Sequence, residues 1–126
     1  MSSIFQLVGA YSVDPTSVGV LGEPSMPTPL DERVLLARKH YDEISLISDL
    51  ATAVGMGGIT SAHVVVIKPV AEKVKVRITT SDGATQVIPV EELLVLISLS
   101  TPVTAIDLQR DAGTVTSVKV FLGEKV

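Results

Sequence analysis

In residues 73–79 the side chains alternate strictly between polar and aliphatic types, in the order KVKVRIT. In a β-strand, a period of two places every second side chain on the same face, so Val74, Val76 and Ile78 are expected in a core and the basic residues in water. The chain also holds 20 Val, 9 Ile and 11 Thr among its 126 residues. These β-branched side chains are restricted at χ1 and pack well on a pleated surface. The sequence therefore predicts an all-β fold.

Turn signals predict two β-hairpins in the second half of the chain. The sequence SDG at residues 81–83 combines an aspartate that can bond its own backbone with a glycine that can adopt positive φ. Pro89 in the return strand cannot donate a backbone hydrogen bond, so it is expected at a strand end or on a sheet edge. The sequence DAG at residues 111–113 predicts the second hairpin. In the strand that follows, Val118, Val120 and Leu122 share one face, and Val115 is out of phase with that face, which predicts a β-bulge.

From residue 31 onward the predicted strands are short and closely spaced. We expect about eight of them at intervals of roughly 8–12 residues, the pattern of an antiparallel sandwich or barrel. They are predicted at residues 31–40, 43–48, 62–68, 73–79, 85–90, 93–97, 103–109 and 114–122. Residues 31–40 also fit a helix that begins near Pro29, although a strand is favoured. We therefore predict an antiparallel β-sandwich, jelly-roll-like, over residues 31–126.

The first thirty residues differ in kind from the rest of the chain. They hold four of the seven prolines but only two charged residues, Asp14 and Glu23. They also carry many apolar side chains, which a disordered linker would lack. We expect residues 1–30 to be an extended arm that needs a surface to lie on. It can pack as an edge strand on its own domain or, as we favour, reach a neighbouring subunit by strand addition.

Composition argues against several classes of function. The chain has no cysteine, so it has no disulfide, thiol nucleophile or cysteine-based metal site. A net charge of −4 and an aromatic content of 3% argue against a nucleic-acid partner and against stacking on sugars. Glycine, proline and hydroxyl residues interrupt the apolar stretches at residues 50–67 and 93–106, so no membrane span is predicted. Because Arg33 is the first basic residue, no secretory signal is expected and folding in a cytoplasm is favoured.

No pattern of residues predicts catalysis or cofactor binding. His40 and His63 lack a second ligand at metal-site spacing, and a structural role is expected for His63 on its apolar strand. Glu91 and Glu92 are adjacent at a strand boundary and would point to opposite faces, so they are a poor general acid and base pair. There is no phosphate-binding glycine loop and no nucleophile elbow. We predict a protein that is not an enzyme, with no catalytic, cofactor or metal residues.

Self-association is the expected way to cover so many apolar strands. Exposed edges of long β-branched strands aggregate unless something covers them. Residues 93–97 are apolar on both faces, so cover on both sides is predicted, either from the chain's own domain or from a neighbouring subunit. Ordinary core packing is the alternative for this segment. The side chains expected at subunit contacts are Phe5, Leu7, Tyr11, Val18, Leu21, Leu94, Leu96 and Phe121.

Four segments of the second half, VRITTSDGATQVIPV (76–90), LVLIS (94–98), PVTAIDL (102–108) and VKVFLGE (118–124), resemble small β-sandwich virion proteins of tailed bacteriophages. The resemblance extends over about residues 60–126. It implies a virion structural subunit, such as a capsid decoration protein or a fibre or tail attachment, commonly a trimer docked on other virion proteins. It lies in the pattern of the strands, so it transfers no functional residue. The alternative is a free β-sandwich module that binds a glycan or small ligand, which the low aromatic content disfavours.

Overall fold

The computed structural model describes residues 3–11 and 28–126, and these residues form nine β-strands and no helix. The strands are β1 (Ser3–Tyr11), β2 (Thr28–Leu46), β3 (Thr52–Ala53), β4 (Val64–Pro69), β5 (Val74–Thr80), β6 (Thr85–Val90), β7 (Leu94–Ile97), β8 (Val103–Arg110) and β9 (Thr116–Lys125). The predicted all-β fold is confirmed.

The strands are arranged as a jelly roll. One sheet has the order β1-β2-β9-β4-β7 and the other has the order β3-β8-β5-β6. The pairs β2–β9, β3–β8, β4–β7 and β5–β6 are all antiparallel. A chain that folds back on itself as one long antiparallel ribbon and then rolls into two sheets gives this order. The predicted sandwich is therefore confirmed, with eight strands in the roll and β1 added at one edge.

Alternate residues of the two sheets fill the space between them. Val74 and Val76 of β5 are completely buried, as are Val118, Val120 and Leu122 of β9. They belong to one hydrophobic cluster to which both sheets contribute. The period-two pattern of the sequence therefore gave the correct inward faces of both strands.

The predicted hairpin between β5 and β6 is confirmed. Gly83 in its turn has a φ of +84°, and the Asp82 carboxylate accepts the backbone N–H of Ala84 at 3.0 Å. The backbone N–H of Thr80 donates to the Ala84 carbonyl, and hydrogen-bonded pairs alternate with non-hydrogen-bonded ones along an antiparallel ladder. This alternation places Pro89 in a non-hydrogen-bonded pair on an edge strand, where its missing N–H costs no bond.

The second predicted hairpin is wrong. Residues 111–113 do form a turn, but β8 and β9 lie in different sheets, so the chain crosses between the sheets here. Two hydrogen bonds attach this crossing segment to the loop after β2. In that loop, the Asp49 carboxylate accepts them from the Arg110 guanidinium at 3.0 Å and from the Gly113 N–H at 2.9 Å. The expected bulge at Val115 is wrong as well, since Val115 is exposed and precedes β9.

A bulge lies instead in β2. Residues 31–40 and 43–48, predicted as separate strands, belong to this single strand of 19 residues, which also spans the boundary expected between residues 30 and 31. The register with β9 shifts between Leu36 and Arg38. Such a shift turns the residues before it to the opposite face of the sheet from those after it. Leu46 after the shift therefore joins the core between the sheets, whereas Leu36 joins a second cluster.

Candidate functional site

The five-stranded sheet carries apolar side chains on the face turned away from the four-stranded sheet. On β4, Val65 and Ile67 pack in the core between the sheets, so the alternating Val64 and Val66 face outward. The residues of this outer face that cluster or pair across its strands are Phe5, Val34, Leu36, Tyr41, Val64, Val66, Val95, Ile97 and Phe121. We call this set the outer apolar face.

The hairpin of β1 and β2 covers one end of the outer apolar face. The rings of Phe5 in β1 and Phe121 in β9 are stacked with centroids 5.8 Å apart. Leu36 lies directly over Gly123, where an added Cβ would come within 2.8 Å of a Leu36 methyl group. A side chain at position 123 would therefore displace Leu36, and Val64, which pairs with Gly123, is completely buried.

The middle of the outer apolar face is open. Tyr41, Phe121, Val66 and Val95 are consecutive partners across β2, β9, β4 and β7, so their side chains form one row. Tyr41 is 58% exposed and the other three are half-buried.

Charged residues border this row on one side. Lys119 of β9 pairs with Glu43 of β2 and with Lys68 of β4, so the three form the next row on the same face. The border therefore carries both signs of charge. An apolar strip with such a border is typical of a surface that binds another protein.

The structure brings some of the predicted contact residues together and separates others. Phe5 and Phe121 contact each other, and Leu7 is half-buried on the same face of β1 as Phe5. Leu94 and Leu96 face the other way and pack against the core between the sheets. Tyr11 pairs with Thr28 at the end of β1, and Val18 and Leu21 lie outside the described residues. A subunit contact through these residues stays a prediction.

The described part of the arm takes the edge-strand arrangement within its own chain, not the favoured contact with a neighbouring subunit. Ser3–Tyr11 pairs antiparallel with the first part of β2 from the same chain.

The sequence also missed Tyr41 as an exposed apolar residue. Its signal was an aromatic ring on the solvent side of a strand, flanked by His40 and Asp42.

Strand β7 is only partly covered by its own chain. It is an edge strand that pairs with β4, and all four of its residues are half-buried. Leu94 and Leu96 contribute to the core between the sheets, while Val95 and Ile97 belong to the outer face. The cover predicted on both sides of residues 93–97 is therefore incomplete within one chain.

Two cavities lie at the seam between the edge strands β6 and β7. One has a volume of about 180 Å³ and is lined by Ile78, Thr80, Ala84, Gln86, Ile88, Leu96, Ser98 and Thr101. A shallower groove of about 530 Å³ runs beside it past Glu91 and Glu92. The first is smaller than the roughly 300–1,000 Å³ of typical ligand pockets, and neither is lined by an aromatic ring.

His63 has the structural role that the sequence predicted. Its ring is buried, and Nδ1 accepts the backbone N–H of Lys125 at 3.2 Å. Burial, followed by the positive charge of Lys125, lowers the pKa of His63. Within residues 3–11 and 28–126, no three acidic or histidine side chains are grouped to hold a metal ion. That part of the chain also contains no helix long and apolar enough to cross a membrane.

Comparisons of the chain with protein-family models, curated proteins and solved structures found no significant match. Any function must therefore be argued from the residues and geometry of this chain.

Proposed function

We propose that this chain is a non-enzymatic virion structural protein. It acts as a small assembly subunit, such as a capsid decoration protein or a fibre or tail attachment, by self-association and by docking on other virion proteins. The observation that supports this most is the outer apolar face, where Tyr41, Phe121, Val66 and Val95 form a row in which Tyr41 is exposed and the other three are half-buried.

The physical argument is the cost of leaving that row in water. Burying apolar surface contributes about 25 cal/mol per Å², and aromatic side chains are enriched at the centres of protein interfaces. Tyr41 is an aromatic side chain that is 58% exposed, and it pairs with Phe121. A partner that covered it would therefore bury apolar surface and contact an aromatic pair. The border of Glu43, Lys68 and Lys119 carries both signs of charge, so a copy of the same face can place opposite charges together across the contact.

Two further observations support the proposal. The jelly-roll order recurs in capsid proteins of viruses, and the second half of the chain resembles small phage virion proteins. The trimer that this resemblance implies stays a prediction. A ligand-binding module is the weaker alternative, because no aromatic ring lines either cavity of the seam.

A matched pair of full-length variants tests the proposal. Tyr41→Lys places a charge on the outer apolar face, and Val87→Lys places one on an exposed residue of the other sheet. The two positions are 58% and 56% exposed, so both changes should leave the core intact. We expect light scattering to show a lower mass for Tyr41→Lys and the wild-type mass for Val87→Lys. Equal masses for all three proteins would argue against the outer apolar face as the contact.

A further inference from the structure

We propose that β7 is a two-fold contact between copies of this chain. The β7 strands of two copies pair antiparallel, so that the five-stranded sheets join into one continuous sheet. This inference rests on the proposed function, because it names a second copy as the partner of an assembly subunit.

The β7 edge lacks the features that normally protect a sheet edge. Proteins blunt exposed edges with charged residues, proline, bulges or very short strands. In the four-stranded sheet, β6 carries Pro89 and β3 has only two residues. In contrast, Leu94–Ile97 reads LVLI, with no charge and no proline, and its pairing with β4 has no register shift. β7 itself is thus an uncharged apolar edge of four residues. Charged side chains flank it at Glu91, Glu92 and Lys125, and Lys125 Nζ donates to the Leu99 carbonyl at 2.9 Å.

The backbone of β7 has hydrogen-bonding groups directed away from its own sheet. The N–H of Ser98 donates to the His63 carbonyl at 2.8 Å. Because hydrogen-bonded and non-hydrogen-bonded pairs alternate along an antiparallel ladder, Leu94 and Leu96 direct their backbone groups toward β4. Val95 and Ile97 therefore direct their N–H and C=O groups toward the open edge.

The sequence around β7 matches itself about a two-fold axis. Residues 93–99 read LLVLISL, which is nearly symmetric about Leu96. An axis at Leu96 pairs Val95 with Ile97 of the second copy and Ile97 with Val95 of the second copy. Each such pair exchanges two backbone hydrogen bonds.

The same axis also brings exposed leucines together. Leu93 and Leu99 are 55% and 48% exposed, and they flank β7 at equal distances from Leu96. In the paired arrangement, Leu93 of each copy lies opposite Leu99 of the other. Large apolar side chains that are exposed in the single chain are thereby buried, and the outer apolar faces of the two copies become continuous.

A proline substitution tests this contact without disturbing the fold. In Val95→Pro the edge loses a donor, but no bond to β4 is lost, because the N–H of residue 95 points outward. Val87→Pro is the matched control: Val87 pairs with Arg77 two residues from Pro89, so its N–H also points outward, at the edge of the other sheet. Sedimentation equilibrium should show association weakened by about tenfold or more in Val95→Pro, from two lost hydrogen bonds per dimer. The control should associate like the wild type.

Hydrogen exchange of the wild-type protein gives a second, independent readout. The amides of Val95 and Ile97 have no partner in the β4–β7 ladder, so they should exchange rapidly in dilute protein and become protected as the concentration rises. Should Val95→Pro fail to fold in a thermal melt, this exchange decides alone. A contact through the outer apolar face would leave the edge amides of Val95 and Ile97 unprotected at every concentration, which would overturn the β7 contact.

The outcomes separate this contact from the proposed function. A wild-type chain that is monomeric at every concentration overturns both. A wild-type chain that associates, but whose mass is unchanged by the substitution at position 95, overturns the β7 contact alone and leaves β1 or the outer apolar face as the site of association. An assembly of only three copies would also overturn a two-fold contact while supporting a structural subunit.

Discussion

At the scale of single residues, the His63 side chain links the start of β4 to the end of β9 by a hydrogen bond. Its Nδ1 accepts the N–H of Lys125 in β9, and the next residue, Val126, donates its N–H to the Leu35 carbonyl of β2. Only a neutral imidazole can accept at Nδ1. Burial and the nearby Lys125 charge lower the pKa of His63, so the folded state disfavours the protonated ring.

This lowered pKa predicts a dependence of stability on pH. Below the ordinary histidine value of 6.5 the unfolded chain binds a proton that folded His63 resists, so the free energy of unfolding should fall as the pH drops through this range. Above that value the contribution is fully present. His63→Asn keeps an acceptor but does not titrate, so its stability should fall less. Urea unfolding at neutral and mildly acidic pH checks this, and equal losses in both proteins would contradict it.

At the scale of elements, the hairpin of β1 and β2 packs on the rest of the molecule through only one of its two faces. A two-stranded hairpin is marginally stable alone, and this one packs its Phe5, Val34 and Leu36 side chains on the outer face of the sheet. Its opposite face, with Ile4 and Leu35, remains exposed. The hairpin should therefore open before the jelly roll does.

A second matched pair of variants tests that order of opening. Phe5→Ala removes the ring stacked on Phe121 and should destabilise the docked hairpin by about 1–3 kcal/mol, from lost burial and stacking. Ile4→Ala, on the exposed face of the same strand, should have little effect. Hydrogen exchange should show lost protection in β1 and the paired part of β2 for Phe5→Ala, with β4 and β9 unchanged. Loss of protection throughout the molecule would show that the hairpin and the roll open together.

The elements also show what local sequence can and cannot predict. The faces of β5 and β9 followed from alternation, and the turn at residues 81–83 followed from its aspartate and glycine. The turn signal at residues 111–113 predicts a hairpin where the chain in fact crosses between sheets, because a turn signal does not specify which strand the next strand pairs with.

The outer apolar face was only partly predictable for a related reason. The sequence predicts both Phe5 and Phe121 at contacts, but their stacking depends on the register shift after Leu36. No residue type in this part of β2 indicates that shift. Tyr41 lies between residues 31–40 and 43–48, which the sequence predicts as two separate strands. The prediction therefore assigned Tyr41 to no strand face.

At the scale of the whole molecule, the five-stranded sheet carries both surfaces that we propose a second copy covers. Its outer face exposes the row around Tyr41, and its β7 edge offers unpaired backbone groups between exposed leucines. The four-stranded sheet instead carries charges on its outer face, where Arg77 and Asp107 form an ion pair at 2.9 Å. This asymmetry is typical of a subunit that is buried on one side of an assembly and faces water on the other.

The mass of the unmodified full chain in solution, measured by light scattering from dilute to concentrated samples, tests this account most directly. We predict a mass above the 13.3 kDa of one chain, rising with concentration as the apolar surfaces of the five-stranded sheet meet. A mass of 13.3 kDa at every concentration would contradict the account, since it would show that the sheet needs no second copy to cover it.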